Sequence, residues 1–318
     1  MNIIQMEDIK LNEHELKVET YGDHMDIIKT EKPLSSLDEF FSRHVDKCIP
    51  ARISRNKYVT EALFIKHPQL FHAPTFGENP SLSIEYLESK ANELDYEWMS
   101  YTPHIEFLLR RPEKIVWSAA ASNLFMPVSL LLEHENELGL GICDNSNMTE
   151  EYFSSRIARG LPVDGCRLSA NKAISAKWLI DNNLLNWAWV GYNVGIDQQF
   201  FRDNYSKIRF ESYAYNKNAD FELVDRHFSE SPDHLNNMYD ACFNPSVPDW
   251  FIKKWRKDID VRALCSNSNI TLDYLINTVG DLHLSALSYN SSVPISWHEK
   301  HLDVIDWDSL CYKASTMV

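Results

Sequence analysis

A short asparagine-anchored segment recurs down most of this 318-residue chain, and that recurrence constrains the fold more than any other feature. Three C-terminal segments show it plainly: NPSVPDWFI from Asn244, NSNITLDYL from Asn267 and NSSVPISWH from Asn290. Two free positions follow the asparagine, then an apolar residue, then Ser, Thr, Asp or Pro. Two more free positions lead to an apolar pair that usually includes an aromatic. The template also fits from Asn56, Asn79, Asn123, Asn145, Asn171, Asn193 and Asn216, with a degenerate unit at Thr102. Successive starts are 23, 23, 21, 22, 26, 22, 23, 28, 23 and 23 residues apart. The chain therefore reads as eleven two-helix units over residues 51–318, ten of them anchored by asparagine.

Each unit has a physical reading. The fifth position (Thr60, Ser83, Thr149, Ser175, Asp197, Asp220, Thr271) suits a helix N-cap, whose side-chain oxygen accepts from free amides of the first turn. The apolar residue before it and the one four after it form a staple, as in Met148 with Phe153 or Ile270 with Leu275. Pro127, Pro248 and Pro294 take the same slot and exploit proline's tolerance at a helix start. Short apolar stretches such as VRALCSN and FESYAYN supply a second helix. The asparagine follows it, where left-handed geometry and side-chain bonding to nearby backbone suit that residue. Stacked side by side, such pairs make an all-α solenoid.

Residues 1–50 do not fit the template and carry a net charge of −5. A solenoid needs a distinct terminal unit, so they are expected to form an N-terminal cap, or a partner-binding segment. The long spacings after Asn145 and Asn216 mark insertions in the segments ARGLPVDG (158–165) and HFSESPDH (227–234). In solenoids such insertions map to loops on one face, often the binding face.

Only nine glycines are present, which disfavours phosphate-cradling and tightly turned β folds. With 46 acidic against 31 basic side chains the net charge is −15, so no direct nucleic-acid binding and no anionic membrane docking are expected. The start MNIIQMEDIKLNEHELK lacks the apolar stretch of a signal peptide, and no window approaches a membrane span. A reduced cytoplasmic setting is expected. Four of the six cysteines, Cys143, Cys242, Cys265 and Cys311, sit two residues before an anchor or its equivalent. Ala121, Gly191, Ala214 and Ser288 take that slot elsewhere, so it reads as a place for small side chains.

Chemistry is scarce. There is no dinucleotide fingerprint and no P-loop. In His298-Glu299-Lys300-His301 the histidines are one residue too close for a zinc-protease helix. No catalytic residue, metal or cofactor is expected. Most tryptophans fall on repeat positions; Trp178, Trp297 and Trp250 read as repeat core, and Trp98, Trp117, Trp187, Trp189 and Trp307 as packed in or near the second helix. Trp255 stands apart, inside the one dense basic cluster, Lys253, Lys254, Arg256 and Lys257. That cluster is either a dipole-complementing helix end or a contact for an acidic partner surface.

Asn-Pro at Asn244 and Asn79, with NSNIT at Asn267 and NSNMT at Asn145, resembles the short asparagine-anchored two-helix repeats of uncharacterised bacteriophage and large-DNA-virus proteins. The resemblance spans about residues 51–318 and lacks the regular tryptophan-rich second helix such arrays often show. It implies an α-solenoid, a viral or mobile-element origin and no shared catalytic residue. The expectation is a non-enzymatic scaffold that binds another protein, in a host cytoplasm if viral, such as an inhibitor of a host defence factor. An acidic nucleic-acid mimic is the alternative, and an enzyme with a groove site a more distant one.

Overall fold

The computed structural model describes residues 35–230 and 238–313, all of whose regular structure is α or 3-10 helix, with no strand among them. Each unit is an A helix followed by a short B helix or 3-10 segment, as in Leu272–Thr278 followed by Leu284–Tyr289. Single helices this short are marginal alone, so packing between units must hold them. The caps form as the sequence dictates. Ser83, Thr149, Ser175 and Thr271 accept from the amides of Tyr86, Tyr152, Trp178 and Tyr274 at 3.2, 3.3, 3.2 and 3.3 Å. Thr60 departs from this: its hydroxyl donates to Asp38 of the neighbouring unit at 2.7 Å. The staple residues Leu82, Leu87, Met148, Phe153, Ile270 and Leu275 are all buried.

The anchors have two jobs. Every anchor Oδ1 accepts from the amide two residues on, at 2.7 to 3.0 Å, from Tyr58 on Asn56 to Ser292 on Asn290. Every anchor Nδ2 donates to carbonyls of the preceding unit. Asn267, for example, reaches Cys242 O at 3.0 Å and Asn244 O at 2.9 Å. The expected left-handed geometry is absent. Asn145, Asn171, Asn193, Asn267 and Asn290 are extended, with φ between −75° and −86°. The two-residue hydrogen-bonded turn places the amide group, so no positive φ is required. In the degenerate unit, Thr102 cannot reach back, and His104 Nε2 donates to Asn79 O at 2.8 Å instead. Burial holds that imidazole below its ordinary pKa, so it stays neutral in this role.

The array closes on itself. Asn56 Nδ2 donates to Cys311 O at 3.0 Å, the same bond that Asn123, Asn145, Asn171, Asn216, Asn244 and Asn267 make to the slot two before the previous anchor position. Arg52 pairs with Asp308 at 2.7 Å, Arg43 with Glu299, and Phe40 stacks on Trp307 at 5.9 Å. Leu310 and Cys311 belong to the same core as Leu37, Phe40 and Phe41. The expected solenoid with a distinct N-terminal cap thus closes into a ring. Its twelfth unit is Ser36–Arg43 with Pro50–Ile53, seated between the last and first units of the sequence repeat. The boundary drawn at residue 50 cuts that second helix, and residues 35–50 are ring, not cap. They escape the template because Glu31 stands four residues before the Ser35 cap, where an asparagine is expected, and Asp38 and Glu39 stand where the apolar pair is expected. Residues 1–34 lie outside the described residues.

Curvature puts the B helices inside. Phe243 and Tyr289 come from units two apart, yet their rings lie 5.9 Å from one another across the intervening Val261–Ser266 helix. Only a concave surface brings side chains two units apart into contact. The A helices, with most of the charge, form the outer layer, and the buried core is the annulus between the layers.

Candidate interaction face

The residue before each anchor projects from the inner helices. Around half the ring it is aromatic: Tyr192, Tyr215, Phe243, Tyr289 and Tyr312. Trp189 and Tyr239, one helical turn earlier, extend the row. The rings form a chain: Trp189 to Tyr192 at 5.9 Å, Tyr192 to Tyr215 at 6.1 Å, Tyr215 to Phe243 at 6.0 Å, Tyr239 to Phe243 at 5.9 Å. Trp189, Tyr192, Tyr215 and Tyr239 are each 40% exposed or more, which is unusual for aromatics arranged so regularly. Over the second half of this arc lies a cleft of about 390 Å³, lined also by Arg262, Ser266, Ser285, Asp306 and Ser309. The small Ser266 leaves the gap over which Phe243 and Tyr289 meet.

The arc combines neutral hydrogen-bonding rings with two charged residues in the cleft lining, Arg262 and Asp306. Partial burial raises the Tyr192, Tyr239 and Tyr289 hydroxyls above their ordinary range, so they remain donors at neutral pH. Asp240 is raised first by burial and then by Glu211. Arg262 is an exposed guanidinium close enough to Tyr239 to oppose the rise of its hydroxyl. Lys313 lies over the Tyr289 and Tyr312 rings at 4.8 and 5.1 Å. Elsewhere on the circuit the same column holds Tyr101, Ser122 and Ala170, and three charged residues: Arg55 and Glu78, which pair with each other at 2.7 Å, and Asp144, which pairs with Arg167. Flat apolar faces, phenol donors, serine hydroxyls and one guanidinium can together grip an extended chain by its side chains and its backbone.

The basic cluster at Trp255 is on the outer layer. The Trp255 indole is half-buried, donates to Asp225 Oδ1 at 2.9 Å and packs edge-on to Phe228. Lys254 pairs with the same Asp225 at 2.6 Å, and Lys253 with Asp249 at 2.7 Å. The two bonds to Asp225 tie the helix Asp249–Lys254 and its cap Trp255 to the preceding helix Phe221–Glu230, whereas the Lys253–Asp249 pair lies within one helix. Arg256 and Lys257 are exposed beside them. The structure does not bring this cluster to the inner arc.

The insertion near residue 160 is absorbed structurally. It lengthens the helix Glu150–Ala158, and the buried Arg156 holds the following loop by donating to Pro162 O at 3.0 Å and the preceding unit by donating to Gly139 O at 3.1 Å. Of the second insertion, residues 231–237 lie outside the described residues; up to Glu230 it simply extends an A helix.

His298 is buried and His301 stacks on Trp297 at 4.1 Å, so the HEKH motif is packing. Burial pushes the His298 imidazole down to about 4. Among the described residues no group of His, Cys, Asp or Glu is arranged to hold a metal, and no helix is long and apolar enough to cross a membrane. The cysteine slot is small, as expected, and has a second role. Its sulfur or hydroxyl accepts the amide that opens the next inner helix, as Ser54 does from His72 at 3.1 Å and Cys143 from Asp164 at 3.4 Å.

Two groups of tryptophans correct the sequence reading. Trp250, expected in the core, is 44% exposed, as are Trp98 and Trp189 at 42% and 46%. Trp250 lies one position off the buried stripe, and the other two point inward from B helices, where the ring is open. The inner arc itself was not singled out from the sequence, although the aromatic column before the anchors was there to be read. No protein-family model matches the chain, and neither a curated protein nor a solved structure is detectably similar to it.

Proposed function

We propose that this chain is a non-enzymatic binding scaffold that recognises another protein along the inner face of its ring. The observation that carries this reading is the row of exposed aromatics, one or two per unit, converging on a cleft. Evenly spaced aromatic anchors beside hydroxyl donors and a few peripheral charges are the usual division of labour in a protein interface. If the repeat's likeness to viral arrays reflects its origin, the partner is a host factor, and inactivating a defence enzyme is the task such a scaffold would serve.

Nucleic-acid mimicry draws less support from the charge layout. Many carboxylates are spent on neighbouring units: Glu88 on Arg110 and Arg111, Glu135 on Arg156 and Arg159, Asp220 on Arg202. Others accept from the next cap, as Glu61 does from Ser83 at 2.5 Å. A mimic needs its acids aligned and free.

The test is affinity capture with three proteins: wild type, Tyr215→Ala with Tyr239→Ala, and Trp255→Ala. Truncating two anchors should weaken capture of a specific partner by on the order of 2 kcal/mol or more, about thirtyfold. Trp255→Ala should bind as wild type once its folding is verified. Loss in the Trp255 variant alone would move the site to the outer basic cluster with Lys254, Arg256 and Lys257.

A further inference from the structure

Among the described residues, every arginine of this acidic chain but two is held in an ion pair with a carboxylate of its own or a neighbouring unit. The exceptions are Arg256, in the outer cluster, and Arg262, which is exposed and lines the inner cleft. Arg262 stands five residues before its anchor, the position of Tyr239 in the preceding unit and Ser285 in the following one, so it lies between them along the inner face. The carboxylates nearest to hand are engaged. Asp260 caps the same helix by accepting from the Ala263 amide at 2.8 Å. Asp306, in the same lining, accepts from the Asp308 and Ser309 amides at 3.1 and 3.4 Å and from the Ser309 hydroxyl at 2.8 Å. The Tyr215, Tyr239 and Tyr289 hydroxyls of the lining bond to no other described residue. What the cleft leaves free is therefore a set of donors, one of them a full positive charge.

We propose that the cleft selects a partner segment by one carboxylate side chain, Asp or Glu, which pairs with Arg262 while apolar neighbours of that residue lie on the Tyr215, Tyr239, Phe243 and Tyr289 rings. This deepens the reading of the inner face as a protein-binding surface and rests on it. A guanidinium is a planar fork that matches a carboxylate with two parallel hydrogen bonds, and the phenols beside it can donate to backbone carbonyls of the same segment. A carboxylate suits the site better than a phosphate. The lining holds one cation, and Asp240 and Asp260 stand on the two helices beside it, so a dianion would be repelled where a paired monoanion is nearly neutralised. The net charge of −15 sets a second limit, because a densely acidic segment would be repelled before it arrived. The fitting segment carries a single acid in an otherwise apolar or basic stretch.

The probe is a phage-displayed library of random linear peptides, selected on the full-length protein, with the recovered peptides then synthesised and titrated. Recovered peptides should share one Asp or Glu flanked by apolar residues, and should not bind Tyr215→Ala with Tyr239→Ala. Changing that acid to Asn or Gln should weaken binding to wild type about tenfold, the worth of one charged hydrogen-bonded pair. The same change should have no effect on binding to Arg262→Gln, which should fold as wild type because Arg262 is exposed and holds no neighbour. Arg256→Gln, the control on the outer layer, should keep the tenfold difference. A tenfold difference that persists on Arg262→Gln, or that vanishes on Arg256→Gln, overturns the proposal. Tighter binding when phosphoserine replaces the acid would reassign the cleft to phosphate. Peptides that need the two tyrosines but share no acid would overturn this inference and leave the inner face as the binding surface. If no peptide is recovered, or if none depends on the tyrosines, both readings fail together.

Discussion

An anchor asparagine saturates three backbone groups at once, and its worth lies in what it would leave behind. Replacing Asn267 by Ala strands the carbonyls of Cys242 and Asn244 and the amide of Asn269. The first two belong to residues with no solvent exposure. We expect a loss of about 2 kcal/mol, typical of buried polar groups left unmade. Asn277 donates to Asp273 O on an exposed helix, and Asn277→Ala should cost about 0.5 kcal/mol or less. Denaturant titration of the two variants checks this; equal midpoints would remove the anchor's structural role. The identity of these residues was legible because a hydrogen-bonding job repeated ten times leaves a repeated letter. Their backbone geometry was not, since a local turn and a left-handed residue both favour asparagine.

Helices and seams tell a different story about legibility. The A helices could be placed from the sequence because cap and staple lie within six residues of one another, as Thr271, Ile270 and Leu275 do. The twelfth unit could not, because its neighbours on one side lie some 250 positions away, as in the pair Arg52–Asp308. Its A helix carries a full capping box, Ser35 with Asp38, but no anchor precedes it to declare the register. The inner arc was hidden for a related reason: a tyrosine before an anchor reads as core or surface until the sense of curvature is known. The seam itself makes a sharp prediction. Trp307→Ala removes the ring stacked on Phe40, and should cost about 2 to 3 kcal/mol for a partly buried tryptophan. Hydrogen exchange should then quicken together in Ser36–Ile53 and Trp307–Lys313, while the helices around Asn171 keep their protection. Faster exchange confined to the C-terminal helix would mean that the ends are not joined.

Taken whole, the molecule should unfold unlike an open array. A linear solenoid frays from its ends, because terminal units have one neighbour and internal ones two. Here every unit has two, since Asn56 and Cys311 supply the contact that ends would lack. Melting should therefore be a single transition with coincident near- and far-ultraviolet signals, and early loss of either chain end before the rest would contradict it. A closed ring also fixes how many units the molecule can hold. An open array tolerates duplication of an internal repeat, which merely lengthens it. In a closed ring each step turns through a set angle, and the turns must sum to a full circle. One extra unit would have to be absorbed by flattening every joint, or else the bond between Asn56 and Cys311 would not form. Growth by single-repeat duplication, the ordinary route by which such chains diversify, is therefore closed to this one; change must come through substitution on a fixed circumference.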